Sequence, residues 1–363
     1  MSFKLFFKAP KSVKIILFDS GGPFLKDRIT PLFSGKEYLI VEPSFFYFSF
    51  RFFFKFIRLL IFFKKTKPSY FAALIEVINP KVVVTFIDNS GLFNEISSIL
   101  RDRTSIKFIA IQNGCRFSEN SNIKDTFATD FFCFGQREID LYKSCGSRVE
   151  TFHKVGSLVD SYYRKKKRKL QIKKYDICIV SQLSPRHQLA NPRTYKSFES
   201  IVSYTKKFCL KHNLSLCVAM RRSNKSNKEA FDWELKWFSE RLGSFASIFP
   251  NDEHTYFSYS LLDFSSVTIG QHSSLLYEGL GRKNKIFFCN FSGTREYNFK
   301  GSNVLNLNFK NYFAFEKKLL YILEMTYKEY SSYMEFNNSY YVNYSVSNPT
   351  YIAIKRKINQ FLN

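Results

Sequence analysis

The chain has 363 residues, of which 45% are hydrophobic, enough to bury the cores of two domains of ordinary size. Lysine and arginine number 55 against 30 aspartate and glutamate, so the net charge of +25 predicts anionic partners. The charge is accompanied by no zinc-finger spacing, aromatic RNA-binding signature or basic heptad helix, which argues against nucleic acid as the partner. Seven scattered cysteines without a CxxC pair are typical of a reducing cytoplasm, and residues 1–18 lack a secretory signal pattern.

Residues 45–63 form the one segment whose length approaches that of a membrane-spanning helix. Arg51, Lys55 and Arg58 lie in its centre, and they make spanning neutral at best. On a helix these cations fall within about 60° of one another, which gives an apolar cylinder with one basic stripe. The pattern predicts either a helix at the membrane interface or a helix packed under a sheet with a solvated basic edge. We expect a cytoplasmic protein that is peripheral at the inner face of the cytoplasmic membrane.

Short apolar runs recur along the chain, and each ends in small or polar residues before a helix-like stretch. Strands of this length alternating with helices predict parallel sheets with crossover helices, and therefore an α/β fold of two Rossmann-like domains. We expect both sheets to face a central cleft with their carboxyl ends, where ligands of open α/β sheets bind. The runs are 13–18, 38–41, 82–87, 107–111 and 131–134 in the first half, and 176–180, 214–220, 266–269 and 285–289 in the second.

A highly charged segment without apolar periodicity separates the two halves. We place the N-terminal domain at 1–158, a basic linker at 159–175 and the C-terminal domain at 176–349. The remaining residues, 350–363, have a helical pattern and are able to cross back to the N-terminal domain.

The sequence GQHSSLLYEG, which begins at Gly270, carries the sharpest functional signal. A strand is predicted to end there and a helix to begin near Ser273 and Ser274, so free N–H groups, hydroxyls and the helix dipole form an anion site. His272 is placed to donate to a phosphate, and Glu278, one turn further on, to accept hydrogen bonds from ribose hydroxyls. The pattern predicts the phosphate and ribose end of a nucleotide site, although ordinary helix capping uses the same residue types.

Two further pairs of polar residues follow strands of the second half. Arg221 and Arg222 are placed to neutralise a diphosphate or a monophosphate leaving group, or else belong to a solvated basic loop. Ser181 and Gln182 are candidates for hydrogen bonds to the nucleotide or its phosphates, with loop capping as the alternative.

Four stretches resemble those of bacterial O-antigen and surface-carbohydrate biosynthesis proteins: INPKVVVTFIDN (78–89), IKFIAIQNGCR (106–116), YDICIVSQ (175–182) and HSSLLYEGLGRKNKIFF (272–288). The last also resembles the donor-site helix of GT-B glycosyltransferases, although His272-Ser273-Ser274 replaces the usual Asp-Ser-Thr. The resemblance implies a GT-B fold whose C-terminal domain holds the nucleotide sugar and whose N-terminal domain faces the acceptor. It also implies no bound metal and no cofactor beyond a nucleotide-sugar co-substrate, for which CMP- or UDP-linked forms are expected.

Polar residues that close the strands of the N-terminal domain are then candidates for the acceptor side. An inverting transferase needs a carboxylate or histidine to take the proton of the acceptor hydroxyl, and Asp88 is our first candidate and Asp19 the second. Asp88 equally suits an Asx turn or a helix N-cap. The other acceptor-side candidates are Asn89, Gln112, Asn113, Gly114 and Arg116.

The resemblance therefore implies a glycosyltransferase that moves a sugar from a nucleotide-activated donor to a lipid-linked or growing surface polysaccharide, such as O-antigen or capsule. A CDP-alditol phosphotransferase or a nucleotide-sugar 2-epimerase of the same fold stays open, as does a non-catalytic assembly module of the pathway. The expected partners are a nucleotide sugar, a lipid-linked glycan acceptor and an anionic membrane surface, and not nucleic acid.

Overall fold

The computed structural model describes residues 4–7, 11–21, 23–117, 122–166, 173–225, 227–252, 255–334 and 337–363. The chain forms two compact units. Unit 1 comprises Met1–Tyr162 and Asn343–Asn363, and unit 2 comprises Tyr163–Val342. Part of the predicted basic linker, 167–172, lies outside the described residues.

Unit 1 is built on a six-stranded parallel sheet flanked by helices. Its strands are β1 (Lys4–Phe6), β2 (Ile15–Phe18), β3 (Tyr38–Val41), β4 (Phe45–Tyr47), β5 (Val82–Thr85), β6 (Lys107–Ile111), β7 (Phe127–Cys133) and β8 (Arg148–Lys154). Its first helices are α1 (Pro23–Ile29), α2 (Phe50–Phe63), α3 (Thr66–Ile78), α4 (Gly91–Leu100), α5 (Gln136–Ser144) and α6 (Leu158–Lys166), the last of which continues into unit 2.

The large sheet of unit 1 has the strand order β3-β2-β5-β6-β7-β8, while β1 and β4 form a separate parallel pair. The chain first crosses from β2 to β3 on one side and then returns to β5 on the other, so the topological switch point lies between β2 and β5. Both strands are fully buried runs of apolar residues, IILF and VVVT, because helices cover both faces of the sheet.

Unit 2 repeats this architecture with a second six-stranded parallel sheet, in the order β11-β10-β9-β12-β13-β14. This is the 3-2-1-4-5-6 order of the Rossmann fold, and its switch point lies between β9 and β12. The strands are β9 (Tyr175–Val180), β10 (Leu216–Ala219), β11 (Ala246–Phe249), β12 (Ser265–Gly270), β13 (Ile286–Cys289) and β14 (Asn306–Leu307). The helices are α7 (Pro185–Ala190), α8 (Pro192–His212), α9 (Lys228–Leu242), α10 (Phe257–Phe264), α11 (Ser274–Gly281), α12 (Tyr312–Glu324), α13 (Tyr327–Ser332) and α14 (Asn338–Tyr341).

The last helix, α15 (Thr350–Leu362), belongs to unit 1. Its Ile354 and Ile358 are fully buried in the same apolar cluster as Val82 and Val84 of β5. Where the chain re-enters unit 1, the Asn343 N–H donates to the Phe134 carbonyl at 2.7 Å.

The predicted α/β fold with two Rossmann-like halves and parallel sheets is confirmed, but the sequence pattern missed five strands. Three of them, β8, β11 and β14, lie at the edges of the two large sheets, and the other two, β1 and β4, form the separate pair. β8 and β11 are half exposed and so lack the continuous apolar run of a central strand, whereas β14 has only two residues.

The aromatic basic segment 45–63 is not one continuous helix. Its first residues form β4, and α2 begins only after Ser49, whose hydroxyl caps the helix by accepting the N–H of Phe52 at 3.4 Å. Among the described residues, none of the helices combines the length and the apolar character needed to cross a membrane.

Gly156 packs closely against the segment by which the chain returns to unit 1. It has a φ of +87°, and a Cβ there would overlap the Asn343 carbonyl oxygen. We predict that Gly156→Ala lowers the free energy of unfolding by about 2–4 kcal/mol, from the left-handed backbone and the overlap together. Gly146 is the matched control, because its φ is +78° but a Cβ added there would meet nothing within 4 Å. Urea denaturation of Gly146→Ala should show only the backbone penalty of about 1–2 kcal/mol; equal losses in the two variants would contradict the steric explanation.

Candidate functional site

The carboxyl ends of β9 and β12 meet at the switch point of unit 2, where Gln182 joins them. Its Oε1 accepts hydrogen bonds from the N–H groups of Gln271, at 3.2 Å, and His272, at 3.0 Å. Ligands of open α/β sheets bind at such a switch point. The structure therefore brings together two residues, Gln182 and His272, that are 90 positions apart in the chain.

Helix α11 begins directly at this point. Gly270 allows the helix to pack closely on the strand end, because a Cβ would lie 2.8 Å from Leu276 Cδ1. Ser273 is the N-cap, with its hydroxyl accepting the N–H of Leu275 at 3.4 Å. Ser273, Ser274 and His272 are half exposed, so the positive end of the helix dipole is open to solvent. This geometry is suited to binding an anion.

The imidazole of His272 is held by stacking. It lies on the ring of Tyr297 with a centroid separation of 4.0 Å and an interplanar angle of 11°, and Tyr297 itself is buried. The neighbouring Gln271 donates from Nε2 to Asn290 Oδ1 at 3.1 Å. We did not predict Tyr297, Gln271 or Asn290, although Asn290 follows β13 directly and its position at a strand end was a usable signal.

Glu278 lies one turn into α11 and is almost completely buried. Its Oε2 accepts a hydrogen bond from the Tyr259 hydroxyl at 2.9 Å. Glu278 is thus engaged within unit 2, and its role toward a ribose stays a prediction.

A buried carboxylate holds the loops that follow β9 and β10. Glu234 accepts a hydrogen bond from the Ser181 hydroxyl, and its two oxygens accept the backbone N–H groups of Arg221 at 2.9 Å and Arg222 at 3.0 Å. Burial raises the pKa of Glu234, while these hydrogen bonds act in the opposite direction. Ser181 is itself buried, so the structure makes it a positioning residue for these loops.

The side chains of Arg221 and Arg222 have no carboxylate oxygen within 4.0 Å among the described residues. Desolvation, together with the adjacent Arg222 guanidinium, lowers the pKa of Arg221. Within the described part of the chain, the Nε atom of Arg222 is buried without a hydrogen-bond partner. The charge of Glu234 acts on both neighbouring guanidinium groups, but its carboxylate oxygens lie beyond ion-pair distance of them. Such a pair of guanidinium groups favours binding of an anion such as a phosphate.

In unit 1 the predicted acceptor-side residues converge on Asp88, which is completely buried. Arg116 donates to it twice, from Nε at 2.9 Å and from Nη2 at 2.5 Å. The Asn113 N–H, at 3.1 Å, and the Tyr142 hydroxyl, at 2.9 Å, complete the shell. Arg116 also donates to Asn89 Oδ1 at 3.2 Å. The loops after β5 and β6 are therefore tied together by one buried ion pair.

The hydrogen bonds around Asp88 affect whether this carboxylate can act as a catalytic base. Both carboxylate oxygens of Asp88 already accept hydrogen bonds, and no part of the side chain is exposed. Asp88, our first candidate from the sequence, is therefore placed to anchor Arg116 and Asn113 rather than to receive a proton from a substrate. Gln112 acts similarly, because it accepts the Phe134 N–H at 2.8 Å and donates to the Gly114 carbonyl at 2.9 Å.

Asp19, the second candidate, has a different environment. It follows β2 at the switch point of unit 1, is half exposed, and has a φ of +51° that is uncommon for a residue with a side chain. Its Oδ2 accepts the Ser90 hydroxyl at 3.1 Å. Burial raises the pKa of the Asp19 carboxyl, against the lowering effect of Ser90, of the Gly21 N–H and of the charge on Lys67. A strained backbone and a raised carboxyl pKa at a strand end are properties of a functional carboxylate.

No group of three or more His, Cys, Asp or Glu side chains within the described ranges is arranged to hold a metal ion.

No family model matches the sequence, and no curated protein is significantly similar to it.

Solved structures do resemble the chain over nearly its whole length. A provisionally identified UDP-N-acetylglucosamine 2-epimerase from Listeria monocytogenes has a TM-score of 0.52 at 11% identity, covering 92% of this chain and 94% of its own. The UDP-forming α,α-trehalose-phosphate synthase from Burkholderia vietnamiensis has a TM-score of 0.51 at 8% identity, with coverages of 99% and 98%. HepE from Anabaena, in complex with UDP and glucose, has a TM-score of 0.50 at 10% identity, with coverages of 96% and 99%.

At such low identities the likeness establishes the fold alone. The fold class predicted from the sequence, α/β of GT-B type with two Rossmann-like domains, is confirmed.

The Asp88–Arg116 pair should behave as a structural ion pair. We predict that Asp88→Asn lowers the free energy of unfolding by about 3–5 kcal/mol, because it leaves the buried Arg116 guanidinium without its counter-charge. Asp102→Asn is the control, since the Asp102 side chain is 91% exposed and should have little effect. Chemical denaturation of both variants measures their free energies of unfolding. An Asp88→Asn variant as stable as the control would show that the ion pair does not anchor the two loops.

Proposed function

We propose that the protein is a glycosyltransferase that uses a nucleotide-activated sugar. The observation that carries the proposal is the open N-terminus of α11 at the switch point of unit 2, where His272, Ser273 and Ser274 stay accessible. The Rossmann strand order of unit 2 makes this the expected position for a nucleotide. The likeness in fold to nucleotide-sugar enzymes supports the same conclusion.

In this proposal the diphosphate of the donor binds at the α11 N-terminus. The helix dipole and the hydroxyls of Ser273 and Ser274 stabilise the negative charge that grows on the leaving nucleotide. Arg221 and Arg222, which lack carboxylate partners among the described residues, add two positive charges at the end of β10. Gln182 and Glu234 hold these loops in place before any substrate binds.

We assign the acceptor to unit 1 and the role of general base to Asp19. Its half-exposed carboxyl has a raised pKa, which improves its ability to take a proton from a sugar hydroxyl near neutral pH. Asp88 and Arg116 shape the neighbouring strand ends. We further propose that the acceptor is a lipid-linked or growing surface polysaccharide, in keeping with the resemblance to O-antigen biosynthesis proteins.

A nucleotide-sugar 2-epimerase is the second candidate, and the fold likeness to the Listeria protein is the observation that favours it. The two activities differ in their requirement for an acceptor. Conversion of a UDP-sugar to its 2-epimer with no acceptor present would support the epimerase and contradict the transferase.

Nucleotide binding is the first test of the donor site. We expect one of UDP, CDP, CMP and GDP to raise the melting temperature, because a ligand that binds only the folded state stabilises it. The double variant Arg221→Ala/Arg222→Ala should lose most of that shift. Arg193→Ala/Lys196→Ala, which removes two exposed cations of α8, is the matched control and should retain it. Indifference of the wild type to every nucleotide would overturn the proposal.

The proposed role of Asp19 can be tested by measuring both the stability and the activity of a variant. Because its pKa is raised in the folded state, the ionised carboxylate destabilises the fold, and that penalty grows as the pH rises through the folded pKa. Asp19→Asn should therefore be at least as stable as the wild type at pH 8, with the difference disappearing in acid. Asparagine also tolerates the positive φ.

Sugar transfer by Asp19→Asn should fall by about 10²–10⁴-fold in kcat, the usual contribution of a general base. In the wild type, kcat/KM should decline as the pH falls through the raised pKa of Asp19. A variant that transfers sugar at the normal rate would exclude Asp19 as the base.

A further inference from the structure

Helix α2 presents a strongly apolar surface to solvent. Phe50, Phe54 and Ile61 are 80%, 71% and 69% exposed. The described part of the chain has fourteen exposed large apolar side chains. Seven of them belong to this region: Phe7 and six residues within 48–62. Monomeric proteins rarely concentrate exposed apolar side chains in this way, so the patch indicates an interaction surface.

The exposed face is separate from the face that packs inside unit 1. At 100° per residue, Phe50, Phe54 and Ile61 fall within about 40° of one another on the helix. Phe52 and Leu59 point in nearly the opposite direction and are buried in the core of unit 1. The helix is therefore apolar on two opposite sides, of which only one is used by the fold.

The cations of α2 lie on a flank between these two faces. Lys55 and Arg58 both pair with the buried carboxylate of Glu76 on α3, at 3.4 and 3.3 Å. They are thus held partly by unit 1, which differs from the sequence-based expectation that all three cations of the stripe are available to headgroups. Arg51 and Lys64, near the two ends of α2, are exposed and have no carboxylate oxygen within 4.0 Å among the described residues.

The segment that carries this patch is strongly basic. Residues 48–67 contain six lysines and arginines and no aspartate or glutamate, although Glu76 and Glu95 from neighbouring helices pair with three of these cations. Clusters of four to eight such cations on an amphipathic helix are typical of binding to anionic lipids. A second copy of the chain is disfavoured as the partner, because a symmetric interface would bring the excess positive charge of the same segment in both copies together.

We propose that α2 docks unit 1 on an anionic phospholipid surface, with Phe50, Phe54 and Ile61 entering the acyl boundary and the cations at both ends meeting headgroups. This surface extends beyond the proposed activity and does not depend on it.

Vesicle flotation tests the apolar contact. The wild type should float with vesicles of phosphatidylcholine and phosphatidylglycerol, and binding should weaken on raising the salt concentration. Phe54→Ser/Ile61→Ser should bind at least about tenfold more weakly, because two exposed side chains no longer enter the bilayer. Its melting temperature should stay unchanged, which separates lost docking from misfolding. Phe309→Ser/Phe313→Ser, which removes two exposed phenylalanines of unit 2, is the matched control and should float normally.

The contribution of charge is tested with the double variant Arg51→Glu/Lys64→Glu, which reverses two exposed cations that flank α2. Lys310→Glu/Lys317→Glu, which reverses two exposed cations of unit 2, is the matched control. The first pair should reduce binding to anionic vesicles strongly and the second only slightly. Equal flotation of wild type and Phe54→Ser/Ile61→Ser would overturn the proposal. So would a vesicle-free dimer that this variant abolishes, since it would show that a second copy occupies the patch. Neither result would bear on nucleotide binding, so the two proposals fail separately.

Discussion

When helices cover both faces of a parallel sheet, a ligand can reach side chains mainly at the ends of the strands. This constraint determines where the candidate site residues lie in both units. The central strands are buried and mostly apolar. Most of the polar candidates therefore follow a strand: Asp19 after β2, Asp88 after β5, Gln182 after β9 and His272 after β12. The strand order then decides which ends are neighbours. In unit 2 the switch point places β9 beside β12, and Gln182 contacts His272 as a result.

Two buried carboxylates keep these strand ends in fixed positions. Asp88 joins the loops after β5 and β6 through Arg116 and Asn113, and Glu234 joins the loops after β9 and β10. Each carboxylate is fully enclosed by donors, which offsets the cost of removing a charge from water. The enclosed carboxylates hold the loops, whereas the side chains of Asp19 and His272 stay partly exposed.

Helix α2 differs from an ordinary surface helix in where its apolar side chains lie. A helix at the surface of a soluble domain normally has one apolar face, and the opposite face is polar. Here the outer face is as apolar as the inner one, and the cations are displaced to a flank, where two of them pair with Glu76. In the proposed docking, an external apolar phase covers the outer phenylalanines, and the headgroups of an anionic membrane meet the surrounding positive charge.

The local pattern of the sequence was enough to predict the fold class, the central strands and the positions of the polar candidates, because buried parallel strands and helix N-caps leave such patterns. It also identified α2 as an apolar helix with a basic edge. It did not determine the edge strands β8 and β11, whose half-exposed residues carry little periodic signal. The enclosure of Asp88 and the partial exposure of Asp19 follow from the three-dimensional packing, as do the contacts of Tyr297, Glu234 and Glu76 with residues of other elements. Burial and partnership depend on which strand ends and helices become neighbours in space, and no local pattern encodes that.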